Sequence, residues 1–157
     1  MEDKFTLRRL TLADLAAISE IERLCFSHPW SEQTYRQELR DNPLSRFWGC
    51  FANGELCGFA GLWLVAGEGH VMNVGVHPSW RRAGIAELLM RRLLAEGAAL
   101  GAAAFTLEVR ASNQAAIALY HKLGFVDSGL RPGYYEQPQE DALIMWLDTR
   151  QAMREER

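Results

Sequence analysis

A chain of 157 residues, 48% hydrophobic and 24% charged, has the size and composition of one ordinary globular domain, able to bury about 70% of its unfolded surface. Its formal charge of −3 leaves no basic footprint for direct nucleic-acid binding and makes a basic protein or peptide the better electrostatic partner. No apolar run approaches the ~20 residues that cross a bilayer, Met1-Glu2-Asp3-Lys4 begins no signal peptide, and Cys25, Cys50 and Cys57, with no Cys-x-x-Cys spacing, argue against a disulfide framework or a zinc site.

Along the chain, a first strand is expected at about Phe5–Arg9. Thr11 with Asp14 three residues later forms a capping box with Asp in place of the usual Glu or Gln, and Leu15, Ile18 and Cys25 follow at helical spacing. A second helix starts at Ser31, with Trp30 and Tyr35 placed as a hydrophobic staple. Asn53-Gly54, between the apolar runs Phe47–Ala52 and Glu55–Val65, predicts a tight hairpin because both residues tolerate positive φ. Gly67-Glu68-Gly69 makes another turn before an apolar strand at Val71–Val76. In the next helix Ile85, Leu88, Leu89 and Leu93 form the apolar stripe, with Arg91 and Arg92 off its centre.

A strand at Phe105–Arg110 precedes a last helix ending at Gly124. With Gly124 in the left-handed position after the helix, Phe125 falls where a Schellman motif packs against Tyr120 or Leu119. Two final strands, about Val126–Leu130 and Ala142–Leu147, flank a loop carrying Tyr134 and Tyr135. Four helices and seven strands thus predict a mixed α/β domain with one central sheet over residues 1–147. The charged tail 148–157 is expected to fray.

Chemistry concentrates between Val71 and Phe125. Pro78 stops a strand, and Arg81-Arg82-Ala83-Gly84-Ile85-Ala86-Glu87 opens a helix whose unpaired N–H groups and positive dipole end favour a pyrophosphate. Gly84 lets the backbone approach phosphates, Ala86 is small, and two arginines add charge. A plain strand-to-helix turn explains these residues equally well on their own. Neither a Walker A loop nor the Gly-x-Gly-x-x-Gly dinucleotide pattern is present. Alternation along Phe105–Arg110 puts Glu108 on the more polar face, as a candidate base or as the partner of a nearby arginine. Tyr120 is a candidate acid or an aromatic packed on Leu123 and Phe125.

Arg81-x-x-Gly84-x-Ala86 resembles the Gln/Arg-x-x-Gly-x-Gly/Ala signature of the GNAT acetyltransferases. Asn73-Val74-Gly75-Val76-His77-Pro78 resembles the strand before that signature, with Gly75 in place of the more usual alanine. The run from Leu107-Glu108-Val109-Arg110 through Ser112-Asn113 and Ala116-Ile117 to Leu119-Tyr120 and Leu123-Gly124-Phe125 is similar to the ribosomal-protein-alanine N-acetyltransferase (RimI) branch. So are His28-Pro29-Trp30-Ser31, Arg131-x-x-Tyr134-Tyr135 and Glu140-Asp141-Ala142. The resemblance covers nearly the whole chain. It implies a mixed central sheet flanked by helices, with two central strands splayed apart. It also implies acetyl-CoA as co-substrate and no metal. The pyrophosphate would lie on 81–87, the pantetheine arm on the free backbone of Val74, Gly75 and Val76, and Asn113 would contact acetyl-CoA. Glu108 would be the proton acceptor and Tyr120 the donor.

The residue types suit the reaction. An α-amino group with pKa ~7.7–8 is mostly protonated at neutral pH and must lose a proton before it attacks. An ordinary glutamate near ~4.3 is weak for this, so Glu108 would need a raised pKa or a water relay. Glu68, before the central strand, is an alternative base. Attack on the thioester creates an oxyanion that strand N–H groups such as that of Val76 could stabilise, and a tyrosine near ~10 stays protonated to donate to the leaving sulfur. No cysteine matches a catalytic position, so no acyl-enzyme is expected. His70 and His77 read as strand-end and turn histidines without the partner carboxylates of a metal site, and Lys122 as a solvated helix lysine.

Trp30, Tyr134 and Tyr135 are the candidates for binding the acceptor. The resemblance implies a protein N-terminus, the N-terminal alanine of a ribosomal small-subunit protein, acetylated in the cytoplasm by a monomer or weak dimer. A small-molecule or lysine acetyltransferase, and a non-catalytic acyl-CoA sensor, are the alternative readings.

Overall fold

The computed structural model describes residues 4–149 and contains seven strands in one sheet, ordered β1-β2-β3-β4-β5-β7-β6. The strands are β1 (Thr6–Arg9), β2 (Ser45–Ala52), β3 (Glu55–Val65), β4 (Glu68–Val76), β5 (Ala104–Arg110), β6 (Val126–Tyr135) and β7 (Glu140–Asp148). Helices α1 (Leu15–Cys25) and α2 (Glu32–Arg40) follow β1, while α3 (Ile85–Ala99) and α4 (Gln114–Lys122) flank β5 in sequence. Neighbouring strands are antiparallel except β4 and β5, which the α3 crossover makes parallel. The sheet is mixed and flanked by helices, as the motifs implied.

The local signals act where the sequence puts them. Thr11 and Asp14 form a capping box at the one-turn 3-10 helix Leu12–Asp14 that leads into α1. Ser31 caps α2 by accepting the Thr34 N–H at 3.1 Å, and Trp30 reaches back to Tyr35 with ring centroids 5.2 Å apart. Asn53 and Gly54 take φ of 52° and 83°, the left-handed pair that lets β2 turn tightly into β3. After α4, Gly124 has φ 105°; its N–H donates to His121 O, and the Phe125 N–H donates to Tyr120 O, both at 3.0 Å. That is a Schellman motif, and Phe125 packs on the Tyr120 ring at 5.9 Å.

Alternation along β2 sorts the core into two layers. Phe47 and Phe51 face α1 and α2, with Ile18, Ile21, Tyr35 and Phe59. Cys50 and Ala52 face the opposite side, with Ile85, Leu89 and Leu93 of α3 and Ile117 and Tyr120 of α4. On α3 the buried stripe is Ile85, Leu89, Met90, Leu93 and Gly97, whereas Leu88 is 39% exposed. Leu88 was expected in the stripe, but it lies at its margin and Met90 is turned inward.

Several boundaries differ from expectation, three of them instructively. β4 begins at Glu68, because Ala66 and Gly67, at φ 51° and 82°, already make the turn. β6 extends to Tyr135, which pairs with Glu140, so Tyr134 and Tyr135 end a strand instead of sitting in a loop. β7 includes Asp148, and Thr149 donates its N–H and hydroxyl to Ala103 O, at 3.1 and 2.8 Å. The expected frayed tail therefore does not begin at 148, and its remainder, 150–157, lies outside the described residues. Among the described residues no helix is long and apolar enough to cross a membrane.

Candidate active site

The site is a consequence of incomplete pairing. β4 and β5 share only three rungs, Glu68 with Ala104, Gly69 with Phe105 and His70 with Thr106, and then separate. Their remaining residues border a gap in the middle of the sheet, so the central strands are splayed. The His77 N–H donates to Cys57 O at 2.8 Å, which fixes the hydrogen-bonding alternation of β4 against β3. Gly75, two residues earlier and opposite Phe59, turns its backbone groups toward β3. Val74 and Val76 turn theirs toward the gap. Of the expected trio, then, two present backbone and Gly75 does not. The Val76 carbonyl already accepts the Cys25 thiol at 3.2 Å and Arg81 Nε at 3.3 Å.

At the start of α3, Gly84 is the N-cap with φ 79° and open space where a side chain would be. The first helical bond is Leu88 N–H to Gly84 O, which leaves the N–H groups of Ile85, Ala86 and Glu87 without partners inside the helix. Glycine is needed here for its left-handed φ, and an approaching anion meets backbone only. The two arginines diverge. Arg81 folds back onto Val76 O, whereas Arg82, at φ 66°, makes no ion pair or hydrogen bond among the described residues. The Ile85 side chain is buried in the core. Glu87 is held by Arg91 at 2.8 Å and Lys122 at 3.0 Å; Lys122 is the exposed helix lysine expected, with an ion pair added. These residues fit a pyrophosphate through backbone N–H groups and Arg82. The Glu87 carboxylate contributes nothing attractive to an anion.

A cavity of about 730 Å³ opens beside the gap. Val74, Glu108, Asn113 and Tyr120 line it, and so do Trp30, Tyr134 and Tyr135. Gly75, Val76 and the 81–87 turn lie outside it. Asn113 spends its side-chain oxygen as the N-cap of α4, accepting the Ala116 N–H at 3.2 Å. Tyr134 and Tyr135 meet edge to face at 4.9 Å, with Arg131 over the first ring and Arg110 over the second. Arg110 is in turn held by Glu140 at 3.2 Å. The aromatic wall is therefore braced by two arginines.

Glu108 lies on the α1–α2 face of β5, the face opposite buried Phe105, Leu107 and Val109. His70 Nε2 is 2.8 Å from Glu108 Oε1. That hydrogen bond holds the carboxyl below its ordinary range against the opposing pull of burial, with Arg131 adding to the depression. Of the two routes open to Glu108, a raised pKa or a water relay, this hydrogen bond works against the first. The missed residue is His70. Its signal was topological: parallel neighbours share facing, so His70, opposite Thr106, lies on the same side as Glu108. Tyr120 enters the cavity from the α4 side. Burial pushes its hydroxyl pKa up to about 12, and it has no hydrogen-bond partner within the described residues, so it stays protonated.

A second unforeseen group is Glu22 on α1, 1% exposed. It accepts the Tyr35 hydroxyl at 2.5 Å, the Trp30 N–H at 2.8 Å and the Asn73 amide at 3.1 Å. This network pins Trp30 against the cavity. Burial raises the Glu22 pKa, although the hydrogen bonds from Tyr35, Trp30 and Asn73 oppose the shift. The folded state therefore retains a proton that the unfolded chain has released. Stability from this group falls as pH rises from about 4.3 through the raised value. Urea unfolding across that range should show wild type losing stability with pH relative to Glu22→Gln, and parallel curves would refute the assignment.

Residues 15–125 match the model of the acetyltransferase (GNAT) family. The chain belongs to the GNAT family of acetyltransferases. It is 34% identical over 147 residues to a putative ribosomal protein bS18-alanine N-acetyltransferase of Bacillus subtilis, covering 94% of this chain and 97% of the relative. To the bS18-alanine N-acetyltransferase of Escherichia coli K12 it is 38% identical over 144 residues, covering 90% and 96%. The crystal structure of the Escherichia coli ribosomal-protein-S18-alanine N-acetyltransferase superposes with a TM-score of 0.85 at 36% identity, covering 92% of this chain and 93% of that one. This is an acetyl-CoA-dependent N-acetyltransferase closely related to that branch. Among the described residues no cluster of His, Cys, Asp and Glu could hold a metal ion.

Proposed function

We propose that this acetyltransferase modifies the α-amino group of a protein N-terminus in the cytoplasm, with the N-terminal alanine of a ribosomal small-subunit protein as its principal acceptor. The observation that carries this reading is the single cavity in which Glu108 and Tyr120 meet a wall made by Trp30, Tyr134 and Tyr135. The relatives named for bS18-alanine acetylation, aligned over nearly the full chain, support the choice of acceptor.

Bound acetyl-CoA supplies an activated acetyl group. The α3 N-terminus and Arg82 hold its phosphates, and the gap-facing backbone of Val74 and Val76 offers hydrogen bonds to its arm. Proton removal from the acceptor falls to the hydrogen-bonded pair of Glu108 and His70. Proton donation to sulfur is the task of the Tyr120 hydroxyl. The cavity's aromatic wall orients a chain end, and its size sets what first residue enters.

The test is CoA release with peptides that differ only at residue one. Alanine should exceed larger residues by about 10–200-fold, the range a steric pocket gives per extra carbon, and an acetyl-blocked N-terminus should be inert. Activity confined to lysine side chains or free polyamines would overturn the acceptor assignment.

A further inference from the structure

We propose that His70 is the group that receives the amine's proton, with Glu108 orienting its ring. This rests on the acetyltransferase reading and deepens it by naming the accepting atom. His70 sits on the last paired rung of β4 and β5, at the mouth of the gap and in the cavity wall. Two contacts fix its ring. Nε2 meets the Glu108 carboxylate at 2.8 Å, and the ring stands edge to face on Trp63 at 6.3 Å. Glu108 as carboxylate accepts only, so Nε2 carries hydrogen and Nδ1 is left as the acceptor. Nδ1 has no partner among the described residues. The His70 side chain is also more open than that of Glu108, at 34% against 14% exposure.

The chemistry favours the ring over the carboxylate. A carboxylate held below its ordinary range is a weak base toward an α-amine, whereas the ring of His70 keeps an unpartnered Nδ1 lone pair that can accept the proton. A base works best when its pKa approaches that of the proton's source and the working pH. The charged groups around the pair come from several elements. Glu108 faces the ring from β5. Trp63 of β3 carries no charge but donates to Glu38 of α2 at 2.7 Å. Arg131 of β6 acts on Glu108, and Glu22, His28 and Arg110 line the same cavity.

The protons balance. The ammonium gives one to Nδ1, which passes it to solvent. As the carbon–nitrogen bond forms and the carbon–sulfur bond breaks, nitrogen loses a second proton to solvent. Tyr120 protonates the sulfur and regains its proton from solvent. Ammonium and thioester become amide, thiol and one released proton.

The experiment measures kcat/KM against pH on the alanine peptide for wild type, His70→Gln, His70→Ala and Glu108→Gln. Thermal unfolding and acetyl-CoA binding of each protein exclude misfolding. His70→Gln should lose about 10²–10⁴-fold and its acidic limb, while Glu108→Gln loses less and keeps that limb. Added imidazole should restore part of the rate of His70→Ala. The pH dependence of the His70 ring signals in the ligand-free protein should move in Glu108→Gln, which reads the pairing without turnover. A His70→Gln enzyme with wild-type rate and pH profile would overturn the proposal. Loss of the limb in Glu108→Gln alone would assign the proton to Glu108 instead. A wild-type enzyme inactive on every N-terminal peptide would overturn the proposed acceptor, a separate outcome.

Discussion

Tyr120→Phe is expected to lower kcat by about 10²–10⁴-fold while acetyl-CoA affinity and thermal stability stay close to wild type. The substitution removes one oxygen and little else. The ring contact with Phe125 and the backbone bond from the Phe125 N–H survive, because neither uses the hydroxyl. That hydroxyl makes no hydrogen bond to the described protein, so its removal orphans no partner. What disappears is a proton donor whose pKa, about 12, keeps it protonated at every working pH. A carboxylate in its place would be ionised near neutral pH and would have no proton to give to sulfur. Steady-state rates with isothermal binding of acetyl-CoA check the expectation. An unchanged kcat would mean that solvent protonates the leaving thiolate.

Phe105→Ala is expected to have the largest effect on stability, a loss of about 3–5 kcal/mol, seen as a Tm drop of roughly 6–20 °C. Phe105 is fully buried on β5 beneath α3. Two glycines make its space: a Cβ at Gly69 would come within 2.5 Å of the ring, and one at Gly97 within 2.6 Å. Alanine at position 105 leaves a void between β4 and α3 that neither glycine can fill. The reverse change, Gly97→Ala, overpacks the same place and should cost about 1–3 kcal/mol. Combined with Phe105→Leu it should cost less than the sum, because the shared space couples the two. Because Gly69 and Phe105 form one of the three rungs that set the gap, Phe105→Ala should also weaken acetyl-CoA binding. Full additivity would show that the sites are independent.

Residues whose conformation is decided by their neighbours in sequence were legible. Asn53-Gly54 fixes a hairpin by φ alone, Ser31 and Thr11 cap by reaching three residues or fewer, and Gly124-Phe125 ends α4 through a local motif. The turn before α3 reads as a candidate anion site because unpaired N–H groups at a helix start are local too. Less legible were features shared between distant segments. Leu88 and Met90 differ in burial because the elements packed against α3 decide where the stripe ends, and periodicity alone spans either choice. Tyr134 and Tyr135 read as loop residues in the sequence because exposed β6 has no alternation to reveal a strand, whereas β7 supplies its partners.

The sequence by itself determined most secondary elements and the left-handed turn at Gly84, and it singled out Glu108 and Tyr120 as candidates, through short-range geometry and motif spacing. Only the tertiary structure decided how those residues are tuned. His70 and Glu108 are 38 residues apart in sequence, and the α3 crossover brings them within 2.8 Å. Glu22 meets Asn73 across 51 residues to lock Trp30 at the cavity. A hydrogen bond and a desolvation act over a few ångströms of space, so the proton chemistry of this site became readable only once β4 and β5 lay side by side.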